Sequence, residues 1–212
     1  GPGRVAFAFA STRMPGPGTL NMEAFPLSAA VVSTGVVALA EIGDKTQLLA
    51  LLLAARFRKP WPIVAGILVA TLLNHALAGW LGALVAHWLQ PDVLRWIVAG
   101  SFAAIAVWTL KPDTLDDGET LPTRGAFIAT TLAFFVAEIG DKTQIATVLL
   151  AAKYQPLWQV VAGTTVGMLL ANVPVVVLGS RFADRLPLKA ARHVAAAVFG
   201  VLAVWAAWKG VG

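Results

Sequence analysis

Long apolar runs, separated by short polar clusters, occupy most of the chain from residue 26 onward. A helix needs about 20 residues to cross a hydrocarbon core of about 30 Å. Runs that reach this length with their flanks predict helices over 26–55, 60–88, 93–110, 125–152, 154–180 and 190–208. None of them alternates in polarity as the strands of a membrane barrel do. The pattern therefore predicts an all-α integral membrane protein with six transmembrane helices.

An internal repeat organises these helices. The octapeptide AEIGDKTQ occurs at 40–47 and again at 137–144, so a shift of 97 residues superimposes the two copies. The same shift places Thr34 on Thr131, Trp61 on Trp158, Gly66 on Gly163, Gly82 on Gly179 and His75 on Asn172. We therefore predict two three-helix repeats, 22–111 and 125–212, joined by an acidic cytoplasmic linker at 112–124. Because each repeat has an odd number of spans, the second would be inverted, as is common in secondary transporters.

The composition supports the membrane class. The chain is 58% hydrophobic and 13% charged, whereas soluble domains carry about 25% charged residues. It has no cysteine, which excludes disulfide frameworks and thiolate metal sites. Residues 1–21 are rich in glycine and proline and are interpreted as a disordered or vector-derived tail.

The basic residues indicate membrane topology, not nucleic-acid binding. The net charge is +5, but Lys and Arg cluster between the apolar runs and form no continuous phosphate-binding face. With the N-terminus outside, the cytoplasmic segments after Met22 would hold nine Lys and Arg residues, and the outside segments three. The positive-inside rule then favours both termini outside a bacterial inner membrane. The sequence leaves open whether the chain forms a homo-oligomer.

Four acidic residues lie near the middle of otherwise apolar spans: Glu41, Asp44, Glu138 and Asp141. A charged side chain at that depth costs at least about 2.5–3.5 kcal/mol on insertion scales. We therefore expect these acids to face an interior cavity, to be paired, and to carry both ion binding and proton coupling.

The motif lysines, Lys45 and Lys142, are interpreted as counter-ions, since an ammonium group cannot bind a cation. With all groups ionised, four carboxylates and two ammoniums sum to −2, which one divalent cation would neutralise. Protons could take the place of that ion, because crowded buried carboxylates share protons readily. The charge balance therefore indicates a physical route to cation/proton exchange.

Oxygen donors of this kind suit Mg²⁺, Ca²⁺ and Mn²⁺, and the motifs contain neither Cys nor His. The predicted metal ligands are Glu41, Asp44, Gln47, Glu138, Asp141 and Gln144, with Thr46, Thr143, Asn74 and Asn172 as additional candidates. The Gln and Thr side chains could instead bond to the backbone. Asn74, His75 and Asn172 fit interhelical hydrogen bonding better than ligation, and Thr34 and Thr131 fit helix packing.

In a continuous helix, Glu41 and Asp44 would be neighbours three residues apart, so each motif would form one polar stripe. The first predicted helix would then be about 45 Å long at 1.5 Å per residue, longer than the membrane core. Tilt could absorb the excess, and so could a break at Gly43, with its equivalent at Gly140. The sequence leaves these alternatives open.

The two motif copies, EIGDKT at 41–46 and at 138–143, resemble those of the Ca²⁺:H⁺ antiporter-2 family, which includes bacterial manganese exporters and Golgi and chloroplast relatives. The resemblance covers the chain from about residue 22. It implies export of Mn²⁺ and/or Ca²⁺ from the cytoplasm in exchange for protons, with no cofactor besides the transported ion. It also implies that the four motif acids carry the function, and it does not decide between the two ions.

Two other functions are weighed against this one. A proton-coupled exporter of a small organic cation would fit an inverted repeat, but no aromatic cage lies near the motifs. An intramembrane aspartyl protease would need Gly-x-Gly-Asp, and here the first glycine is replaced by Glu41. We therefore predict a transporter that is not an enzyme.

Overall fold

A computed structural model of the chain describes residues 29–111, 125–179 and 187–209. Helices occupy nearly all of these residues, and no strand occurs among them. In chain order the helices are α1 (Ala29–Glu41), α2 (Lys45–Phe57), α3 (Pro60–Trp88), α4 (Pro91–Thr109), α5 (Ala126–Glu138), α6 (Lys142–Lys153), α7 (Leu157–Leu178) and α8 (Leu188–Lys209). The predicted all-α class is therefore confirmed for the described ranges, and the predicted tail and linker lie outside them.

Within the described ranges, four helices are long and apolar enough to cross a membrane: α3, α4, α7 and α8. Helices α1 and α5 are apolar but shorter. Large hydrophobic side chains lie on the outside of the helices, and Trp61, Trp88 and Trp208 are 76%, 79% and 80% exposed. Soluble monomers rarely expose apolar surface so widely. The outer faces are those of an integral membrane protein.

Each of the two predicted motif helices is split in two. Residues 42–44 separate α1 from α2, and residues 139–141 separate α5 from α6. Gly43 and Gly140 adopt φ values of +80° and +75°, a region that residues with a Cβ atom rarely occupy. Of the two alternatives that the sequence leaves open, the structure has the broken helix, and no continuous polar stripe forms, because the chain leaves the helix between each motif glutamate and its aspartate.

Two close helix crossings are related by the 97-residue shift. Helix α1 packs against α7, and α3 packs against α5 and α6. A Cβ atom on Gly163 would lie 2.4 Å from the carbonyl oxygen of Ala30, and one on Gly66 would lie 2.9 Å from that of Phe127. The shift places Gly66 on Gly163 and Ala30 on Phe127. Equivalent parts of the two sequence repeats therefore make equivalent contacts.

Helices α4 and α8 pack on each other, with the rings of Phe102 and Phe199 6.1 Å apart. Their buried residues share one apolar cluster with residues of α1 and α6 and with Val160 of α7. A second cluster joins α2, α3, α5 and α7 with Val37 of α1 and, among the described residues, includes none from α4 or α8. The α4–α8 pair therefore covers α1 and α6 but not α2 and α5.

Candidate metal-ion site

The two helix breaks place the motif acids at helix ends. Glu41 is the last residue of α1, and Glu138 is the last residue of α5. Asp44 and Asp141 are the N-caps of α2 and α6, each accepting a hydrogen bond from the backbone N–H two residues further on, at 3.4 and 3.3 Å. Asp is favoured at this position because its carboxylate accepts from free N–H groups of the first turn. Helix ends thus meet at the site, as they do in many transporters.

Each motif lysine pairs with the aspartate of the other motif. Lys142 Nζ contacts Asp44 Oδ1, and both side chains are buried. Lys45 Nζ lies 3.6 Å from Asp141 Oδ1, with 28% of the Lys45 side chain exposed. The crossed pairs hold the two helix breaks against each other, because each lysine begins one half-helix and reaches the cap of the other.

Three of the four motif acids form one cluster. Glu41, Asp44 and Asp141 each contribute a carboxylate oxygen, and these atoms all lie within 4.8 Å of one another. All three residues are buried. Glu138 is also buried but is not part of this cluster, and its Oε2 lies 3.8 Å from Nε2 of His75. The cluster draws on both motifs, so neither half of the chain could form it alone.

The motif threonines orient the glutamates. Thr46 Oγ1 donates a hydrogen bond to Glu41 Oε2 at 2.5 Å, and Thr143 Oγ1 donates one to Glu138 Oε2 at 3.3 Å. These hydroxyl groups bond to carboxylates and not to their helix backbone, and their role as additional metal ligands stays a prediction. They bridge the carboxylate at the end of one half-helix to the start of the next.

The motif glutamines tie each turn to a facing helix. The side-chain oxygen of Gln47 accepts from the N–H of Gly43 at 2.9 Å, and that of Gln144 accepts from the N–H of Gly140 at 2.7 Å. Their amide nitrogens donate outward, Gln47 to a carbonyl oxygen of α7 at 3.1 Å and Gln144 to the side-chain oxygen of Asn74 at 3.4 Å. Both glutamines therefore adjoin the site while also fixing its backbone.

Other polar residues of the spans divide between the site and helix packing. Asn172 Nδ2 lies 3.5 Å from Glu41 Oε2. Asn74 donates to a carbonyl oxygen of α5 at 3.0 Å and accepts from Gln144. The hydroxyl groups of Thr34 and Thr131 lie 2.7 and 2.9 Å from carbonyl oxygens of their own helices. Thr34 Oγ1 also lies 3.0 Å from the carbonyl oxygen of Gly163 on α7, so Thr34 links two helices, whereas Thr131 bonds within α5.

His75 joins the site, although the sequence pattern groups it with interhelical hydrogen-bonding residues. It is fully buried on α3 and faces Glu138. The repeat contains a signal for this position, because the 97-residue shift superimposes His75 on Asn172 and Glu138 on Glu41. Given that Asn172 adjoins Glu41 in the structure, the shift predicts that position 75 adjoins Glu138.

The donor set defines what this site can hold. Four carboxylates and two ammonium groups give a net charge of −2 when all are ionised, and carboxylate oxygens suit hard divalent cations. A large apolar groove of about 740 Å³ between α1 and α8 contains none of the motif acids. The chemistry for a cation therefore lies in the buried cluster and not in that groove.

The chain matches the family described as "Divalent cation/proton antiporter GDT1" over residues 29–117 and 126–212. The chain belongs to the GDT1 family. The match confirms the resemblance noted from the two motifs. It also confirms the predictions of a divalent cation/proton antiporter and of a protein that is not an enzyme, because the family consists of transporters.

Three relatives illustrate the range of the family. A Vibrio cholerae protein named "Putative manganese exporter" is 57% identical over 179 residues, covering 84% of this chain and 90% of its own. A GDT1-like protein of Synechocystis is 26% identical over 86% of this chain and 98% of its own. The chloroplastic PAM71-homolog of Arabidopsis thaliana is 28% identical over 82% of this chain and 59% of its own. No solved structure matches the chain.

Proposed function

We propose that this GDT1-family protein exports Mn²⁺ from the cytoplasm in exchange for protons, with Ca²⁺ as a competing substrate. The observation that carries the proposal is the buried cluster of Glu41, Asp44 and Asp141, in which oxygens from both motifs lie within 4.8 Å of one another. The family is one of divalent cation/proton antiporters, and the Vibrio cholerae relative is named for manganese export. Carboxylate oxygens suit Mn²⁺ and Ca²⁺ alike.

In the proposed site the three clustered carboxylates bind the ion, and Glu138 provides the fourth acid beside them. Gln47 and Gln144 remain candidate ligands, because an amide oxygen has two lone pairs and the turn N–H occupies only one. Thr46, Thr143, Asn74 and Asn172 act mainly by holding the acids and turns in place. Lys45 and Lys142 act as counter-ions to the two aspartates.

Exchange follows from the charge of the site. One dication neutralises a net charge of −2, and two protons on the carboxylates would neutralise it equally well. A site that is neutral with either occupant avoids carrying uncompensated charge through a low-dielectric interior. The four motif acids are therefore the proposed proton carriers as well as the proposed ligands.

The proposed architecture has six spans in two inverted repeats, 22–111 and 125–212. The broken helices α1–α2 and α5–α6 would each cross the membrane as one span, joining the four longer helices. Repeat-related contacts support it, including the equivalent crossings at Gly66 and Gly163. The distribution of Lys and Arg supports outside termini in a bacterial inner membrane.

A reconstituted assay tests this function. We expect purified protein in liposomes to move Mn²⁺ when a pH gradient is imposed, and to move protons in the opposite direction when a Mn²⁺ gradient is imposed. A Mn²⁺-quenched dye and a pH dye inside the vesicles report the two fluxes. Absence of ion flux from correctly inserted protein over all gradients between pH 5 and 8 would contradict the proposal.

A matched pair of variants distinguishes loss of the ion site from a general loss of protein integrity. Asp44→Asn removes one carboxylate from the cluster and is expected to abolish both fluxes. Asp92→Asn makes the same change in the exposed first turn of α4 and is expected to leave them unchanged. Near-normal transport by inserted Asp44→Asn protein would show that the acid cluster is structural only.

A further inference from the structure

His75 is a buried polar residue of the site whose ring makes no hydrogen bond within the described ranges. It is 0% exposed in the middle of α3. Neither ring nitrogen is hydrogen-bonded to any residue in the described ranges, and the carboxylate of Glu138 lies 3.8 Å from Nε2. Buried polar groups are nearly always hydrogen-bonded. An imidazole held without a hydrogen bond next to a carboxylate therefore indicates that another partner completes its coordination.

The two halves of the site differ at this position. The 97-residue shift superimposes His75 on Asn172, and each residue adjoins the glutamate of the opposite repeat. Asn172 is anchored by a hydrogen bond from Nδ2 to the carbonyl oxygen of Met168 at 3.1 Å. One half thus offers an amide and the other offers an imidazole, although the motifs themselves are identical.

We propose that His75 is a ligand for the transported ion and that its nitrogen makes the site favour Mn²⁺ over Ca²⁺. This inference rests on the proposed function and names the residue that sets its ion preference. An ion about 2.1–2.5 Å from each ligand atom fits between atoms 3.8 Å apart. His75 and Glu138 would therefore form the nitrogen-bearing end of the site beside the three-carboxylate cluster.

The preference follows from ligand chemistry. Ca²⁺ takes six to eight oxygen ligands and gains little from nitrogen. Mn²⁺ begins the series of first-row dications whose affinity for mixed nitrogen and oxygen sites rises toward Cu²⁺, and imidazole is the commonest protein ligand for such metals. Replacing one oxygen ligand by an imidazole therefore weakens Ca²⁺ binding more than Mn²⁺ binding.

The first test compares ion selectivity in variants of the full chain. His75→Asn gives position 75 the residue that the other repeat already has, and it is expected to lower the Mn²⁺-over-Ca²⁺ transport ratio by about tenfold or more. His87→Asn makes the same change in the exposed last turn of α3 and is expected to leave the ratio unchanged. An unchanged ratio in His75→Asn protein that still transports Mn²⁺ would overturn the inference.

The second test detects the ligand directly. Bound Mn²⁺ is paramagnetic, so pulsed electron paramagnetic resonance reports nitrogen nuclei coordinated to it. We expect a coordinated-nitrogen signal in the wild-type protein that changes when its histidines carry ¹⁵N, and that disappears in His75→Asn. Because the chain has three histidines, the variant then assigns the signal.

The outcomes distinguish this inference from the proposed function. Wild-type protein that neither binds nor transports Mn²⁺ would overturn both. Mn²⁺ bound and transported without an isotope-sensitive nitrogen signal would overturn only the role of His75. Should His75→Asn fail to fold, His87→Asn with His193→Asn removes the two exposed histidines and leaves His75 as the one histidine of the chain. An isotope-sensitive signal in that protein assigns the ligand to His75, and its absence overturns the inference.

Discussion

At the scale of single residues, two ion pairs with the same sequence context differ in burial. Asp44 and Lys142 are 0% and 3% exposed, whereas the Lys45 side chain that pairs with Asp141 is 28% exposed. Removing one partner of a buried ion pair costs about 3–5 kcal/mol, because the other charge stays buried and unpaired. Pairs open to solvent contribute only about 0–1 kcal/mol. Burial should therefore decide how much each lysine contributes to the stability of the folded protein.

We predict that Lys142→Met lowers the thermal stability of the purified protein more than Lys45→Met does. Methionine keeps most of the side-chain volume while removing the charge. Unfolding in detergent measures both variants under the same conditions, and each variant is the matched control of the other. Adding Asp44→Asn to Lys142→Met should restore part of the lost stability without restoring transport, since it removes the buried carboxylate charge that Lys142 balances. Equal destabilisation by the two lysine variants would contradict the assigned burial.

The sequence predicts which acids matter but not how they pair. A charged residue in an apolar span is conspicuous, because placing a charge there costs free energy. Glu41 and Asp44 can therefore be named from the chain alone. The partner of Lys45 cannot be named from the chain alone, because the two identical motifs contain equivalent carboxylates, one set in its own repeat and one in the other. Only the helix breaks, which bring Asp141 opposite Lys45, make that choice.

At the scale of helices, the two turns share a backbone conformation but differ in what surrounds them. Gly43 and Gly140 both have positive φ. A Cβ atom on Gly43 would lie 3.2 Å from the Leu188 side chain of α8, whereas one on Gly140 would meet nothing within 4 Å. Left-handed backbone costs residues other than glycine about 1–2 kcal/mol. Both turns thus require glycine, and the side chain of Leu188 also packs over the turn at Gly43.

We predict that Gly43→Ala and Gly140→Ala both destabilise the protein and slow Mn²⁺ transport, with Gly43→Ala the more severe. Each change strains the turn that positions an aspartate cap, and the first adds a contact with Leu188. Thermal unfolding and liposome flux measure the two effects. Gly100→Ala is the control, because a Cβ atom at that helical position meets nothing within 4 Å and alanine favours a helix by about 1 kcal/mol. Turn variants that behave like Gly100→Ala would contradict the role of the breaks.

The sequence predicts the uninterrupted helices well, because length and hydropathy alone define them. The run 60–88 coincides with α3, and 154–180 encloses α7. The helix breaks are harder to predict from the sequence, since a tilted continuous helix also accommodates an internal glycine. A local signal does exist: Gly43 is followed by Asp44 and, three residues later, by Gln47. An N-cap residue followed at that spacing by Gln is typical of a helix start.

At the scale of the whole molecule, the α4–α8 pair covers one member of each pair of repeat-equivalent helices more than the other. Leu149 on α6 is 6% exposed, whereas Leu52, which the 97-residue shift places on it, is 48% exposed on α2. Val136 on α5 is 67% exposed, whereas its equivalent Leu39 on α1 is half-buried. In the proposed orientation, α1 and α6 lie in the outer half of the membrane. The site would then be covered on the outside and less covered toward the cytoplasm.

The proposed inverted repeat would give this asymmetry a functional meaning. If the two halves exchange conformations, α4 and α8 would leave α1 and α6 and cover α2 and α5 instead. The site would then open to the other side of the membrane, as alternating access requires. The contact between α1 and α8 should therefore form and break during each transport cycle.

We predict that holding α1 and α8 together stops transport. Val31 and Val201 are exposed and line the groove between these helices, and the chain has no native cysteine. Val31→Cys with Val201→Cys, joined by a short reducible cross-linker, should lose Mn²⁺ flux and regain it on reduction. The repeat-related pair Ile128→Cys with Ala104→Cys should cross-link only when α4 approaches α5, and more so under conditions that drive turnover. Because a linked groove cannot open, undiminished flux from fully cross-linked protein would mean that ions cross without this movement.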